Sequence, residues 1–291
     1  WTVSEINENQ SRCTQQVTVV DDQAPSISCP AAVTVNADLG QCSATSVNLG
    51  TPSTNDNCGV SSVVHDGSAP YAVRTNLVVW TVTDVHGNSA PCTQQVIVVD
   101  NQAPSLSCPT NMVMGTDLGQ CSASNVTFTV SASDNCTNGV VECSPASGAS
   151  FVVGETVVTC AVSDAAGNTN GCSFTVTVSD SERPSIACPA DVTVSADLGS
   201  CSATNVVLGA PTSTNDNCGV STVVNNGSEP YAVGTNLVVW TVTDIHDNQS
   251  SCTQQVIVVD DQAPSISCPA AVTVSADLGQ CSATSVNLGT P

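Results

Sequence analysis

The chain is built from a repeated segment of about 80 residues. The stretch VVDDQAPSISCP at Val19–Pro30 returns without change at Val258–Pro269. Its Cys-Pro pair recurs at steps of 79, 80 and 80 residues, at Cys29, Cys108, Cys188 and Cys268. Repetition at a fixed period predicts one small structural unit that is used several times along the chain.

The repeats divide the chain into complete and partial copies. We expect domains at 22–100, 101–180 and 181–260, which are called repeats 1, 2 and 3 below, with the C-terminal part of a repeat at 1–21 and the N-terminal part of one at 261–291. Because the chain starts and stops in the middle of a repeat, we expect it to be a segment of a longer repetitive protein.

The sequence pattern of each repeat is typical of an all-β domain. Short runs rich in β-branched residues alternate with Gly, Pro, Asn and Asp turn signals. The runs LVVWTVTD at Leu77–Asp84 and CTQQVIVV at Cys92–Val99 predict a closing hairpin, because the intervening VHGN tolerates a left-handed backbone. About seven short strands per repeat predict tandem immunoglobulin-like β-sandwich modules, each stapled by disulfides.

The charge of the chain excludes several classes of partner. It contains 25 acidic residues against three basic ones, Arg12, Arg74 and Arg183, and no lysine. Nucleic acid and anionic lipid are therefore not expected partners, since both are held through Lys and Arg. No apolar run approaches the ~20 residues that span a bilayer, so direct membrane insertion is not expected either.

Seventeen cysteines indicate an oxidising, extracellular or cell-surface location. The chain has few aromatic residues, so disulfides are expected to compensate for a core of small side chains. Repeat 2 alone carries Cys143 and Cys160, whose counterparts in repeat 1 are read as Val63 and Trp80. Since the two cysteines occur together and are missing together, we expect them to bond each other.

Repeat 2 resembles a known family. The run VVECSPASGASFVVGETVVTCAVSDAAGNTNGCSFTVTV at Val140–Val178 is similar to the HYR (hyalin repeat) pattern of Cys-x-Pro, Gly-x-Thr, Val-x-Cys, Asp-x-x-Gly-Asn and Cys-x-Phe-x-Val. The flanking repeats keep the Cys-Pro start, the Asp-Asn-Cys segment and the closing hairpin, but not the inner cysteines. The resemblance implies an extracellular adhesion or matrix module without catalytic activity of its own.

Four cysteines occur in every repeat, and they allow three pairings. Members of the family often keep only the first and the last, so the resemblance implies that these two bond each other and leaves the middle two as partners. The expected disulfides, with the extra pair of repeat 2, are Cys29–Cys92, Cys42–Cys58, Cys108–Cys172, Cys121–Cys136, Cys143–Cys160, Cys188–Cys252 and Cys201–Cys218.

The sequence contains no catalytic motif. The three histidines, His65, His86 and His246, are expected to be surface residues, the last two in closing-hairpin turns. No Gly-x-Ser-x-Gly elbow or Cys-His motif accompanies the many serines and threonines, so we do not expect an enzyme.

The acidic linkers between repeats predict calcium. The linker after repeat 1 resembles the Asp-Asn-x-Ala-Pro connection between cadherin modules, where calcium rigidifies the joint. Carboxylate and amide oxygens without competing lysines suit Ca²⁺, which takes six to eight oxygen ligands. The expected ligands at this junction, with equivalents at the others, are Asp38, Asp100, Asn101, Asp134, Asn135, Asp164 and Asn168.

We therefore expect a structural subunit of an extracellular fibre or surface appendage, with copies of itself as partners and calcium at its junctions. Open assembly from repeated contacts between like modules is typical of filaments. Two alternatives remain: the repetitive stalk of a cell-surface adhesin with a separate binding domain and an unidentified surface or matrix ligand, and an accessory domain of a secreted hydrolase.

Overall fold

The computed structural model describes residues 1–291 and is all-β. A first short hairpin is followed by eight strands in each of the three repeats. The structure has no helix that could span a bilayer. The predicted all-β fold class is confirmed.

The hairpin and the strands of repeat 1 are β1 (Thr2–Ser4), β2 (Gln10–Arg12), β3 (Ser26–Ser28), β4 (Val33–Asn36), β5 (Ser43–Ala44), β6 (Ser53–Asn55), β7 (Val60–His65), β8 (Tyr71–Ala72), β9 (Arg74–Asp84) and β10 (Ser89–Val99). Repeat 2 contains β11 (Ser105–Ser107), β12 (Met112–Gly115), β13 (Ser122–Val126), β14 (Ser131–Ser133), β15 (Val140–Ser144), β16 (Ala149–Val152), β17 (Gly154–Ser163) and β18 (Thr169–Ser179). Repeat 3 contains β19 (Ser185–Ala187), β20 (Val192–Ser195), β21 (Ser202–Ala203), β22 (Ser213–Asn215), β23 (Val220–Asn225), β24 (Tyr231–Ala232), β25 (Gly234–Asp244) and β26 (Gln249–Val259).

The chain folds into two compact units whose boundary runs through repeat 2. Unit 1 comprises Trp1–Met112, Asn125–Ser150 and Glu155–Thr177, and unit 2 comprises Val113–Ser124, Phe151–Gly154 and Val178–Pro291. Repeat 1 therefore lies whole within unit 1 and repeat 3 within unit 2.

Repeat 1 is a two-layer sandwich. One layer is a four-stranded sheet in the order β4-β10-β9-β7, in which β4 runs parallel to β10 and the other neighbours are antiparallel. The second layer consists of the short pairs β3-β6 and β5-β8. Between the layers lies a core of small and medium side chains, Ala37, Ala44, Tyr71, Val78, Trp80, Val96 and Val98.

The predicted closing hairpin is the centre of the sheet. β9 and β10 pair along nearly their whole length, from Arg74–Val98 to Thr83–Ser89. Alternate residues of β9 point inward, so Val78 and Val82 are fully buried while Leu77 is exposed. Each buried valine contributes roughly 1.5–3 kcal/mol relative to full exposure, which favours this register over a one-residue slip.

A buried glutamine completes the core of repeat 1. Gln94 accepts a hydrogen bond from Trp80 Nε1 at 3.0 Å. It donates to the carbonyl oxygens of Ala31 and Leu49, both at 2.9 Å. The two carbonyls belong to different loops, so one amide connects the indole to both layers of the sandwich.

Repeat 3 has the same arrangement in unit 2. Its sheet order is β20-β26-β25-β23, with the short pairs β19-β22 and β21-β24. Gln254 repeats the buried contacts, accepting from Trp240 Nε1 and donating to the carbonyls of Ala190 and Leu208.

The structure corrects the counterpart of Cys143. In unit 1, Cys143 of β15 lies directly opposite Cys160 of β17, and the two are bonded. The residue opposite Trp80 is His65, whereas Val63 lies opposite Val82. The disulfide of repeat 2 is therefore replaced in repeat 1 by a His65–Trp80 ring contact with centroids 4.7 Å apart. The sequence-based alignment was wrong by two residues, since His65 and Cys143 each stand seven residues after the cysteine of the Asp-Asn-Cys segment, and this spacing fixes their place on the strand.

Candidate functional site

The two ends of a repeat are separated by the length of its closing hairpin. In repeat 1 the turn Asp38–Cys42 lies at one end, where Ala37 N donates to Val99 O at 2.9 Å. The loop Asp56–Gly59 lies at the other end, where Val85 N of the hairpin turn donates to Gly59 O at 3.1 Å. We call these the tail and the head. β10 runs between them, and its length of 11 residues corresponds to about 35 Å.

This separation decides which cysteines can bond. Cys42 at the tail of repeat 1 is bonded to Cys136 at the head of repeat 2, with Cα atoms 4.6 Å apart. Cys121 and Cys218 form the same bond from repeat 2 to repeat 3, at 4.7 Å. The predicted pairs Cys42–Cys58, Cys121–Cys136 and Cys201–Cys218 are wrong, because a disulfide requires Cα atoms within about 7 Å and these partners sit at opposite ends of one sandwich.

The other predicted disulfides are present in the structure. They are Cys29–Cys92, Cys108–Cys172, Cys143–Cys160 and Cys188–Cys252. Cys13, Cys58, Cys201, Cys268 and Cys281 are free. Six disulfides in one chain require an oxidising compartment, so the protein is extracellular or held at a cell surface.

The linkers are tied to the tails that precede them. Gln102, in the linker after repeat 1, accepts from Gly40 N at 2.7 Å and donates to Asp38 O at 3.1 Å. Glu182 accepts from Gly119 N at 2.8 Å in the same way after repeat 2. These contacts hold each linker against the turn that carries the inter-repeat cysteine. Sequence reasoning missed this role of Gln102, although a Gln or Glu stands two residues after each linker aspartate.

Three aspartates lie where a linker enters the head of a repeat. One belongs to the linker, one to the Asp-Asn-Cys loop and one to the start of the hairpin turn. We call them the first cluster (Asp21, Asp56, Asp84), the second cluster (Asp100, Asp134, Asp164) and the third cluster (Asp180, Asp216, Asp244). In the first and third clusters, one carboxylate oxygen from each residue lies within 4.8 Å of the others. In the second cluster, Asp100 and Asp134 meet beside Cys136 at the same distance.

Asparagines hold these carboxylates in place. In the second cluster, Asn168 Nδ2 donates to Asp164 Oδ2 at 2.8 Å and to Asp100 O at 3.3 Å. Asn135 Nδ2 donates to Asp100 Oδ1 at 3.3 Å and to Gln41 O of the preceding tail at 3.0 Å. The loop between β14 and β15 is therefore hydrogen-bonded to both the linker and the repeat before it.

Several oxygens in these clusters are shielded from solvent and accept no hydrogen bond. They are Asp56 Oδ1, Asp134 Oδ1, Asp216 Oδ1 and Asn217 Oδ1. Buried polar atoms are nearly always satisfied, so the aspartate oxygens left open at equivalent places in all three repeats are free to accept a hydrogen bond from water or to bind a cation.

The hairpin-turn aspartates are ionised at neutral pH. Burial acts to raise the pKa of Asp84, but hydrogen bonds donated by Asn88 and by backbone N–H groups outweigh it and hold the pKa below its usual value. The pKa values of Asp164 and Asp244 are lowered in the same way. Each cluster therefore concentrates negative charge in a chain that has only three basic residues.

The structure brings five of the seven predicted calcium ligands together. The point where the linker after repeat 1 enters the head of repeat 2 is surrounded by Asp100, Asp134, Asn135, Asp164 and Asn168. Asn101 is exposed. The Asp38 carboxylate is directed into its own turn, where Oδ2 accepts from Thr45 N at 2.9 Å and Thr45 Oγ1 at 2.6 Å.

Two histidines that were expected to be simple surface residues belong to the clusters. His86 Nδ1 lies 3.2 Å from Asp21 Oδ2, and His246 Nδ1 lies 3.2 Å from Asp180 Oδ2. The equivalent position in repeat 2 is Ala166. The linker aspartates lie some 66 residues before these histidines, so no local sequence signal connects them.

The tail turn makes stability depend on pH. The pKa of Asp38 is lowered, first by the Thr45 hydroxyl and then by the Thr45 N–H, with burial opposing. A depressed folded pKa stabilises the protein above the ordinary carboxyl pKa, and this contribution is lost as the pH falls through the folded value. We expect Thr45→Val to lower the urea midpoint at pH 7, and the difference from wild type to shrink in acid. Thr34→Val, on an exposed strand position, is the control; a Thr45→Val effect that is constant with pH would contradict the role of Asp38.

The solved structures that match this chain include cadherin and protocadherin fragments. Mouse cadherin-23 EC22-24 is 12% identical, with 82% of this chain and 100% of that chain covered and a TM-score of 0.37. Protocadherin gammaB7 EC3-6 is 14% identical, with 89% and 83% covered and a TM-score of 0.35.

Sequence comparison identifies the family. The chain is 35% identical over 287 residues to hyalin of Strongylocentrotus purpuratus, which covers 92% of this chain and 24% of that protein. It is 32% identical over 217 residues to hyalin of Lytechinus variegatus, covering 72% and 41%. The chain thus spans about a quarter and two fifths of the length of these curated relatives. The HYR domain model matches residues 20–98, 99–178 and 179–258, and the chain therefore belongs to the HYR domain family.

Proposed function

We propose that this chain is a non-catalytic structural segment of an extracellular fibre or surface appendage, in which successive repeats are bonded covalently and their linkers are stiffened by calcium. The observation that carries the proposal is the pair of inter-repeat disulfides, Cys42–Cys136 and Cys121–Cys218. Each gives adjacent repeats a second covalent connection beside the linker.

Two connections restrict a joint more than one. A linker alone permits bending and twisting about its own backbone. A disulfide from the tail turn to the next head, together with the Asn135–Gln41 hydrogen bond, opposes both motions. Load applied along the chain is then shared between the linker and the disulfide, which suits a load-bearing role in the matrix.

The chemistry of the free cysteine in repeat 1 also favours a structural role. Cys58 lies beside His86 and Asp21, a combination that a thiol enzyme could use. A catalytic cysteine needs a lowered pKa. The pKa of Cys58 is instead raised, first by its hydrogen bond to Asp21 and then by burial and nearby carboxylates.

Calcium fits the third cluster best. Asp180, Asp216 and Asp244 supply three carboxylates that converge. Among these carboxylates Asp216 Oδ1 is open, and Asn217 Oδ1 supplies a further open oxygen. These are the hard oxygen ligands that Ca²⁺ prefers. A bound cation would cancel the repulsion between the linker carboxylate and the head carboxylates, which removes freedom from the joint.

Calcium binding is tested by removing one charge inside the cluster and one beside it. We expect Asp216→Asn to weaken one calcium site at least about tenfold in isothermal titration calorimetry, since ligand-shell changes typically cost that much or more. Asp247→Asn is the matched control, because Asp247 is exposed in the adjacent turn with φ 69°, a backbone conformation that asparagine also adopts. Equal binding by both variants, or no calcium uptake by the wild type, would contradict calcium stiffening.

The structural role is tested by imaging. Electron micrographs of the purified chain should show a narrow distribution of bend angles between repeats with calcium, and a broader one after chelation. Reduction of the inter-repeat disulfides should broaden it further. Because each repeat presents the same surfaces, contacts between copies of the chain can be reused along a fibre. A distribution that neither chelator nor reductant changes would refute the proposal.

A further inference from the structure

Five segments of the chain have the form Asn-x-Ser or Asn-x-Thr, and the structure separates them into two kinds. Their asparagines are Asn9, Asn125, Asn135, Asn226 and Asn248. In secreted proteins this pattern is the acceptor of N-linked oligosaccharide, which is bulky and needs a surface position. An asparagine can carry a glycan in the folded chain where its Nδ2 atom is accessible and the fold does not use it.

Three of the five side-chain amides already donate hydrogen bonds. Asn135 Nδ2 donates to Gln41 O of the preceding tail at 3.0 Å. Asn248 Nδ2 donates to Asp244 Oδ2 at 2.8 Å. Asn9 Nδ2 donates within its own turn. A sugar on Asn135 or Asn248 would place its bulk where a linker enters a head, so these two asparagines are poor acceptors.

Asn125 has an unused amide at the surface. It lies at an exposed position of β13, and the hydroxyl residue of its segment, Thr127, is exposed as well. Asn125 has φ 53°, in the left-handed region that asparagine adopts more readily than most residues. Asn205, at the equivalent place in repeat 3, has φ 56° but is followed by Val207. Backbone conformation therefore accounts for an asparagine in both repeats, and repeat 2 adds the hydroxyl of an acceptor segment.

Asn226 uses its oxygen and leaves its nitrogen free. The residue is exposed, and its Oδ1 accepts from Val239 N at 2.7 Å. Repeat 1 has Asp66 at this position, where Oδ1 accepts from Val79 N at 2.8 Å. An ionised carboxylate has no hydrogen to donate, so the fold requires only the oxygen here. The amide nitrogen of Asn226 is therefore available to a sugar without loss of a structural contact.

We propose that Asn125 and Asn226 are N-glycosylation sites of the secreted protein. The glycosyl donor is an oligosaccharide linked to a lipid pyrophosphate, and an oligosaccharyltransferase of the secretory pathway transfers it. The asparagine Nδ2 loses one proton and bonds to the anomeric carbon of the first sugar. The bond from that carbon to the pyrophosphate oxygen breaks, and the lipid pyrophosphate leaves. Oδ1 of Asn226 is unchanged, so its bond to Val239 N is kept.

Glycosylation is tested on the full chain secreted from cultured animal cells. Peptide N-glycosidase in isotopically labelled water converts each glycosylated asparagine into a labelled aspartate, which peptide mass spectrometry locates. We expect label at Asn125 and Asn226 and none at Asn135 and Asn248. Absence of label from Asn125 or Asn226, or label at either of the other two, would overturn the assignment.

Two variants remove one glycan each. Thr127→Val should abolish the oligosaccharide on Asn125, whereas Thr129→Val, at another exposed position of the same segment, should leave it in place. Asn226→Asp copies the Asp66 of repeat 1, so it should keep the hydrogen bond and lose the glycan. Each loss is measured as the mass of one oligosaccharide on the intact chain. A glycan that persists at Asn125 in Thr127→Val would contradict the proposal.

A third variant should add a glycan. Val207 is 81% exposed, and Val207→Thr completes an acceptor segment at Asn205, whose backbone conformation matches that of Asn125. The Nδ2 atom of Asn205 contacts the oxygen of its neighbour Thr204, at 3.3 Å. We expect one additional oligosaccharide on Asn205, and its absence would show that exposure and conformation do not define the acceptor. None of these results bears on calcium binding at Asp216.

Discussion

A chain cut in the linker between repeats 2 and 3 is expected to remain one molecule until it is reduced. A site-specific protease sequence inserted between Ser181 and Glu182 provides the cut. Cys121–Cys218 is the disulfide that spans this point, since Cys108–Cys172 lies before it and Cys188–Cys252 after it. On a denaturing gel the cut protein should run as one species without reductant and as two with it.

The control for the cut carries the same insertion with Cys121→Ser and Cys218→Ser. It should separate into two fragments without reductant, because no other bond crosses the linker. If the cut wild-type protein separates without reductant, the cysteines pair within repeats and the inter-repeat bond is wrong. Non-reducing peptide mapping should also recover Cys42 linked to Cys136.

Replacing the buried amide of Gln94 should make repeat 1 much easier to unfold. Gln94→Leu leaves Trp80 Nε1 and the carbonyls of Ala31 and Leu49 without a partner. An unsatisfied buried group costs about 1–3 kcal/mol, so we expect a loss of at least about 3 kcal/mol. Hydrogen exchange measured by mass spectrometry should accelerate roughly a hundredfold in β9 and β10, as follows from that free energy when exchange occurs by opening.

Two comparisons control the glutamine experiment. Gln95→Leu changes the next residue, which is exposed, and should alter stability by no more than about 0.5 kcal/mol. Repeat 3 of the same molecule retains Gln254 and should exchange at the wild-type rate. Comparable acceleration of hydrogen exchange by Gln94→Leu and Gln95→Leu would show that the buried amide does not stabilise repeat 1. Repeat 2 has Phe174 at this position and no indole opposite it, which agrees with the amide being needed to satisfy tryptophan.

Local sequence patterns were sufficient to predict much of the fold. The period of the Cys-Pro pair set the repeats, and β-branched runs around VHGN predicted the hairpin of β9 and β10. The resemblance to HYR modules implied the bond between the first and last cysteines of each repeat, such as Cys29–Cys92. These features depend on residues that interact within one repeat, where sequence spacing limits the possible partners.

The sequence also predicted several of the acidic residues that lie at the junction, but not all of its members. Turn and linker signals predict Asp100, Asp134 and Asp164. Asp100 and Asp134 do meet at one linker entry, and Asn168 connects Asp164 to the same linker. Asp38 was included because turn aspartates all look alike in sequence. Its carboxylate is satisfied by Thr45 in the same turn, and such local hydrogen bonding competes with ligand binding.

Only the tertiary structure decided how the middle cysteines pair. Cys42, Cys58 and Cys136 belong to repeated motifs, so Cys42 can be matched with the Asp-Asn-Cys loop of its own repeat or of the next, and nothing in the spacing separates the two. The length of β10 does separate them, because it puts Cys42 and Cys58 at opposite ends of one sandwich and brings the head of the next repeat to Cys42. A tandem sequence determines what its modules contain, whereas the distance between their ends determines which modules bond.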